Sequence, residues 1–129
     1  MFGMKKDTMN CYFYGTTRRD PSILGHNAVV AFTIPELNIS FKAQYKGTDA
    51  ETEYASLLAL LEFIEQNQRL FTRQRIQIFG DSFTVVHQVN FKLVCSKELE
   101  PYRNLALGYR KKIGYSLGWV PRNQNQALA

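Results

Sequence analysis

The feature that most restricts this chain is a change of hydrophobic period near residue 48. Before it, apolar residues come in short runs suited to strands. After it, they recur at helical spacing. Residues 10–14 are aromatic and stop at Gly15, which predicts a strand. Residues 15–25 hold the Gly, Pro, Asp and Ser of a loop. Residues 26–34 are β-branched and apolar, a second strand, and Pro35, Glu36, Leu37 and Asn38 make a tight connection. Residues 39–46 alternate strictly between apolar and polar, so the third strand has one wet face. Three strands with short connections form an antiparallel meander. Asp49 is placed as the cap of a helix running to about residue 67. Tyr54, Leu57, Leu58, Leu61 and Ile64 then recur at i, i+3, i+4, i+7 and i+10, one broad apolar face.

The remainder returns to strands between helices. Residues 75–80 are a fourth strand, followed at once by Asp81, Ser82 and a short helix over 83–90. A second long helix spans 99–112, with Pro101 in its first turn, where proline is tolerated. Residues 116–120 are a fifth strand, and 121–129 begin a last helix. The order β-β-β-α-β-α-α-β describes a mixed sheet with helices packed against it.

With 129 residues, 45% hydrophobic and 21% charged, the chain reads as one domain over 1–129 that needs no disulfide or metal staple. Disorder, collagen and coiled coil are excluded as whole-chain readings. Its apolar stretches fall short of the roughly 20 residues that span a bilayer, so no membrane partner is expected. The N-terminus has no apolar core of signal-peptide length. Cys11 and Cys95 lie far apart and in no CxxC, which favours a reduced, cytoplasmic setting.

Charge is unevenly placed. Residues 1–90 carry nine Lys/Arg and nine Asp/Glu, while residues 91–129 carry seven Lys/Arg against Glu98 and Glu100, so the net +5 lies wholly in the last third. A neutral body with a basic end suits a polyanion. Arg103, Arg110, Lys111, Lys112 and Arg122 are the main contributors.

Three segments carry more information than the topology: TDAETEYASL at 48–57, FGDSFTVVHQV at 79–89 and WVPRNQN at 119–125. Together, and in this order, they resemble the type I ribonuclease H family. That family has a Thr-Asn-Asn-x-Ala-Glu-Tyr-x-Ala-Leu helix start, an Asp-Ser-x-x-Val-x-x-Gln strand end and a Val-Pro-Arg-x-x-Asn turn. The resemblance covers about residues 9–129. It implies a ribonuclease H-like α/β fold: a five-stranded mixed sheet in the order 3-2-1-4-5 with helices on both faces. It also implies two-metal phosphodiester hydrolysis, in which two Mg²⁺ about 4 Å apart activate a water and steady the leaving oxygen. Magnesium, or manganese in its place, needs clustered hard oxygen ligands, and the family supplies four carboxylates.

Carried over position by position, two of the four remain. Glu53 matches the helix glutamate and Asp81 the fourth-strand aspartate, the expected catalytic and metal positions. The first-strand aspartate is replaced by Tyr14, before Gly15. A phenol with a pKa of about 10 is neutral at pH 7 and a poor magnesium ligand. Where the family continues past the asparagine to Ala-Asp, Asn125 is followed by Gln126, Ala127, Leu128 and Ala129, and no acidic residue follows Glu100. Asp20 is the nearby candidate substitute for the first position. Glu53 and Asp81 should lie together at the ends of the central strands and repel, raising one pKa. The Tyr14 hydroxyl is expected to donate to one of them. The nucleic-acid contacts implied are Arg103, Arg110, Lys111, Lys112, Arg122 and Asn125.

Ordinary roles stand beside these. Glu53 is also a charge favoured by the helix dipole, Asp81 a helix cap, and His87 a packing residue without a ligand partner. Tyr12, Phe13 and Trp119 are expected in the core. Three functional readings follow. The first is a catalytically degenerate ribonuclease H-like domain that weakly binds nucleic acid, an RNA/DNA hybrid or RNA, or a partner. The second is a metal-dependent ribonuclease cleaving the RNA strand of hybrids. The third is a structural or self-association module.

Overall fold

The computed structural model describes residues 7–19 and 26–128. The described residues form five strands: β1 (Thr8–Arg19), β2 (His26–Ile34), β3 (Ile39–Tyr45), β4 (Arg75–Gly80) and β5 (Tyr115–Trp119). They form one sheet in the order β3-β2-β1-β4-β5, the order implied by the family resemblance. β2 pairs antiparallel with β1 and β3, whereas β1–β4 and β4–β5 are parallel. β1 is longer than its aromatic run. Residues 15–19 stay in the sheet because they pair with 26–30 of β2, so ladder bonds override the turn-rich composition. Asp20 and the rest of the loop to residue 25 lie outside the described residues.

Helix α1 (Asp49–Gln66) is capped by Thr48, not by Asp49. Thr48 Oγ1 accepts from the Glu51 amide at 3.2 Å, and Glu51 Oε1 accepts from the Thr48 amide at 3.0 Å. This reciprocal pair satisfies two amides that would otherwise be orphaned, and it places Asp49 inside the helix, where its carboxylate accepts from the Thr17 hydroxyl. Tyr54, Leu57, Leu61 and Ile64 are fully buried, as their spacing requires, and Leu60 joins them. Leu58 is only partly buried at the edge of that cluster. The face is therefore rotated slightly towards Leu60 relative to the expected stripe.

At its start α1 comes very close to β1. A Cβ on Gly15 would lie 2.6 Å from the Thr52 carbonyl oxygen and 2.9 Å from Glu53 Cα. Only a residue without a side chain fits. The hydroxyls buried at this contact are satisfied by the helix itself: Thr52 Oγ1 donates to the Thr48 carbonyl and Ser56 Oγ to the Glu53 carbonyl, each at 2.7 Å.

Two further helices, α2 (Phe83–Val89) and α3 (Glu100–Ile113), complete the packing around α1. Tyr54 of α1 donates to Gln88 Oε1 of α2 at 2.7 Å, and Gln88 Nε2 donates to the Val94 carbonyl at 3.1 Å. The tyrosine and glutamine of two separate sequence segments thus meet in one buried bond. The tail makes two 3-10 turns, Arg122–Gln124 and Gln126–Leu128, in place of the expected helix start. The second lies against β1 and β2, with Gln126 Nε2 3.4 Å from Tyr12 Oη. Tyr12 points to the sheet face opposite buried Cys11 and Phe13. Among the described residues no helix is long and apolar enough to cross a membrane.

Candidate carboxylate site at the ends of the central strands

β1 has an antiparallel neighbour on one side and a parallel one on the other. The chain leaves the sheet in opposite directions around it. The crevice beyond the carboxyl end of such a strand is where open α/β sheets place ligands. Phe13 sits opposite Gly80 in the β1–β4 register, so Tyr14 and Asp81 emerge together just past that pair. Glu53 is brought to the same place by the Gly15–Thr52 contact. Tyr14, Glu53 and Asp81 therefore converge as expected from the sequence.

Their bonding differs from that expectation. Glu53 Oε2 accepts from Ser82 Oγ at 2.5 Å. Asp81 Oδ1 accepts from Asn125 Nδ2 at 3.1 Å, and Asp81 Oδ2 lies 3.5 Å from Arg122 Nε. Among the described residues, the Tyr14 hydroxyl donates to no carboxylate. It accepts from an Arg122 terminal nitrogen at 3.1 Å, and that guanidinium lies 5.6 Å from the centre of the Tyr14 ring. The aromatic face and the phenol oxygen both favour a cation here. Burial, above all, holds the Glu53 carboxyl above the usual glutamate range; the Ser82 bond and Arg122 oppose the rise, while the charges of Asp81 and Asp49 add to it. Repulsion from Asp81 contributes, but desolvation is the larger cause.

Three residues have parts that the sequence reading did not assign. Ser82, not Asp81, caps α2, with its Oγ accepting from the Val85 amide at 3.2 Å. The same hydroxyl donates to Glu53, so one side chain joins the cap to the site. Serine directly before the helical run was the available signal. Arg122, read as a phosphate contact, is the ion-pair partner of Asp81, and no local pattern announces a pairing across 41 positions. Asn125 is buried, bonds Asp81, and also donates to the Phe13 carbonyl at 2.9 Å. It ties the tail to β1 and β4 together.

The other basic residues expected to contact nucleic acid lie elsewhere. Lys112 pairs with Glu65 at 3.4 Å, and Glu65 is twelve residues beyond Glu53, about 18 Å down a helix that rises about 1.5 Å per residue. Lys111 is exposed beside it. Arg103 packs over the Phe91 ring at 5.6 Å, and Arg110 lies over Tyr115 at 4.8 Å while donating to Asn90 Oδ1 at 3.0 Å. Trp119, expected in the core, is 46% exposed at the site's rim, with its Nε1 donating to the Asp81 carbonyl at 3.2 Å.

Among the described residues, the side chains at the site do not fit a pair of magnesium ions. Such a site needs several hard anionic oxygens turned inward. The described residues bring two carboxylates there, each already bound by protein donors, and the Arg122 guanidinium stands against one of them. Among the described residues no three His, Cys, Asp or Glu side chains gather where one ion could be held.

No protein-family model matches the chain, and no curated protein sequence does. Solved structures do. RNase H1 from the halophilic archaeon Halobacterium salinarum NRC-1 superposes with a TM-score of 0.74 at 22% identity, over 93% of this chain and 90% of that one. LC11-RNase H1 in complex with an RNA/DNA hybrid gives a TM-score of 0.77 at 16% identity, over 92% and 89%. The foamy viral protease-reverse transcriptase in complex with an RNA/DNA hybrid gives 0.65 at 14% identity, over 90% of this chain and 18% of that one. The chain has the ribonuclease H-like fold.

Proposed function

We propose that this chain is a ribonuclease H-like domain that binds nucleic acid, an RNA/DNA hybrid or RNA, and does not hydrolyse it. The observation that carries the second half is Arg122. Its guanidinium neutralises Asp81 and is steadied by Tyr14, so the charge that magnesium would offset is already offset by the protein. Without inward carboxylates at the Tyr14 and tail positions, an attacking water has no activating pair of ions. The nucleic-acid half is supported by hybrids bound to two structurally similar proteins and by the basic last third of the chain. The wide minor groove of a hybrid, with its 2′-hydroxyls, suits a shallow site better than duplex DNA does.

Of the basic residues expected to meet a polyanion, Arg122 lies at the site, whereas exposed Lys111 and Lys112 lie by the Glu65 end of α1, about 18 Å from Glu53 along the helix. At about 3.4 Å per step, a hybrid meets both only if it runs about five base steps across this flank. Binding is therefore weak and electrostatic.

A labelled hybrid titrated at low and moderate salt tests this reading, alongside incubation with Mg²⁺ or Mn²⁺ and separation of the RNA products. We expect a dissociation constant of roughly 10⁻⁴ to 10⁻⁶ M that weakens steeply with salt, and uncut RNA. RNA cleavage that disappears in Asp81→Asn would replace this reading with that of a metal-dependent ribonuclease. Absence of binding at low salt would leave a structural module.

A further inference from the structure

The rim of the site carries aromatic surface that the core does not use. Phe83, the first residue of α2, is 56% exposed, and Trp119 at the end of β5 is 46% exposed. They meet edge to face, ring centres 6.5 Å apart and planes at 75°. His87 stacks on Phe83 at 3.9 Å and 23°. Its Nδ1 lies 2.8 Å from the Phe83 carbonyl oxygen. A carbonyl only accepts, so Nδ1 carries a proton, and in the neutral ring Nε2 is then the acceptor. The Asp81 carbonyl holds the indole through Nε1. The three rings are thus oriented by bonds and stacking instead of by burial, and exposed aromatic area assembled this way marks a binding surface.

We propose that Phe83, His87 and Trp119 form a stacking platform for one unpaired nucleobase of a nucleic-acid strand. The inference rests on the nucleic-acid reading above and names the part of the ligand that this corner takes. Three observations select a base over an apolar protein side chain. The surface consists of flat rings set by hydrogen bonds, which suits another flat ring of any sequence. Arg122, whose side chain is 68% exposed, lies at Asp81, the residue that anchors the indole. It offers positive charge where the phosphate next to a stacked base would lie. Nε2 of His87 adds an acceptor at the platform's edge, for the amino or imino hydrogens that an unpaired base exposes. A paired base inside a duplex has both faces covered by its neighbours, so the platform favours a single strand or an overhang over the body of a hybrid.

Trp119 is the one tryptophan of the chain, so its fluorescence reports on the platform directly. The experiment titrates the protein with three labelled ligands: a blunt RNA/DNA hybrid, the same hybrid with a short single-stranded overhang, and a single strand. Anisotropy and tryptophan emission are both read. We expect the overhang and the single strand, but not the blunt hybrid, to quench Trp119. Phe83→Ala, at an exposed position, should weaken their binding about tenfold or more, with blunt-hybrid binding within twofold of the parent. If all three ligands bind but none quenches and Phe83→Ala changes nothing, the platform is refuted while nucleic-acid binding stands. If no ligand binds at low salt, both fall. If Phe83→Ala abolishes self-association in sedimentation and leaves the titrations unchanged, the patch is a protein contact and the platform is likewise refuted.

Discussion

Helix α1 meets the sheet in two different ways along its length. Over its middle and C-terminal turns, Leu57, Leu60, Leu61 and Ile64 are fully buried against strand residues such as Ile78 and Cys11. That contact is apolar, non-directional and held by area removed from water. Over its first turns the contact is a bare backbone at Gly15, two buried hydroxyls and the Glu53–Ser82–Asp81–Arg122 group. Here position counts for more than area, because each polar group must find a partner or incur a desolvation cost. One end supplies stability, and the other keeps a half-buried charged carboxyl at a cost. The contrast locates the candidate site without reference to any relative.

Truncation in the apolar half should be the most damaging change. Leu61→Ala leaves a cavity under α1 and should lower the unfolding free energy by about 2–5 kcal/mol, read from urea denaturation. A loss below about 1 kcal/mol would mean that this half is loosely packed and the contrast is overdrawn.

Gly15→Ala tests the rigidity of the polar half. The new methyl would stand 2.6 Å from the Thr52 carbonyl oxygen, so α1 has to shift away from β1. Overpacking of this kind costs about 1–3 kcal/mol. The shift should also lengthen the Glu53–Ser82 bond, visible as a lowered Glu53 burial in a crystal structure. A neutral Gly15→Ala would show that the two ends of α1 are equally pliable.

The smaller effects sharpen the comparison through charge. Burial raises the Glu53 pKa above its ordinary 4.5 in the folded state. The folded protein then holds that proton more tightly than the unfolded chain. The associated stability is complete below the ordinary glutamate range and is lost as pH rises through the folded value, so at pH 7 the fold carries the full cost of the ionised group. Glu53→Gln should therefore stabilise the protein at pH 7, on the order of 0.5 kcal/mol or more. The gain should shrink as pH falls below that range. A gain of equal size at pH 3 and pH 7 would refute the electrostatic account.

At the other end, Lys112→Ala removes an exposed pair with Glu65 and should change stability by less than about 0.5 kcal/mol in the same denaturation assay. If its effect exceeds that of Glu53→Gln, charge matters more at the apolar end than at the site.

The element order needed no tertiary information. Strand and helix periods are local, so 26–34 and 75–80 were readable residue for residue, and α1 to within a residue at its ends. Glu53 and Asp81 could be paired in advance because the three segments TDAETEYASL, FGDSFTVVHQV and WVPRNQN resemble a family whose site residues lie in them. The replacement of an acidic position by Tyr14, and the absence of any acid after Glu100, were equally plain.

Only the tertiary structure decided which donor meets which acceptor. Thr48 in place of Asp49 at the α1 cap and Ser82 in place of Asp81 at the α2 cap each depend on backbone angles just outside the helix. The pairing of Arg122 with Asp81, which leaves the arginine side chain largely exposed, depends on how the tail crosses the ends of β1 and β4. Trp119 and Phe83 lie exposed because β5 ends, and α2 begins, where the sheet runs out. Hydrophobic pattern encodes which side of an element faces the core, because burial is a property of each residue in turn. Polar pairing is a property of two residues at a distance, set by register and rotamer once the core has brought them together.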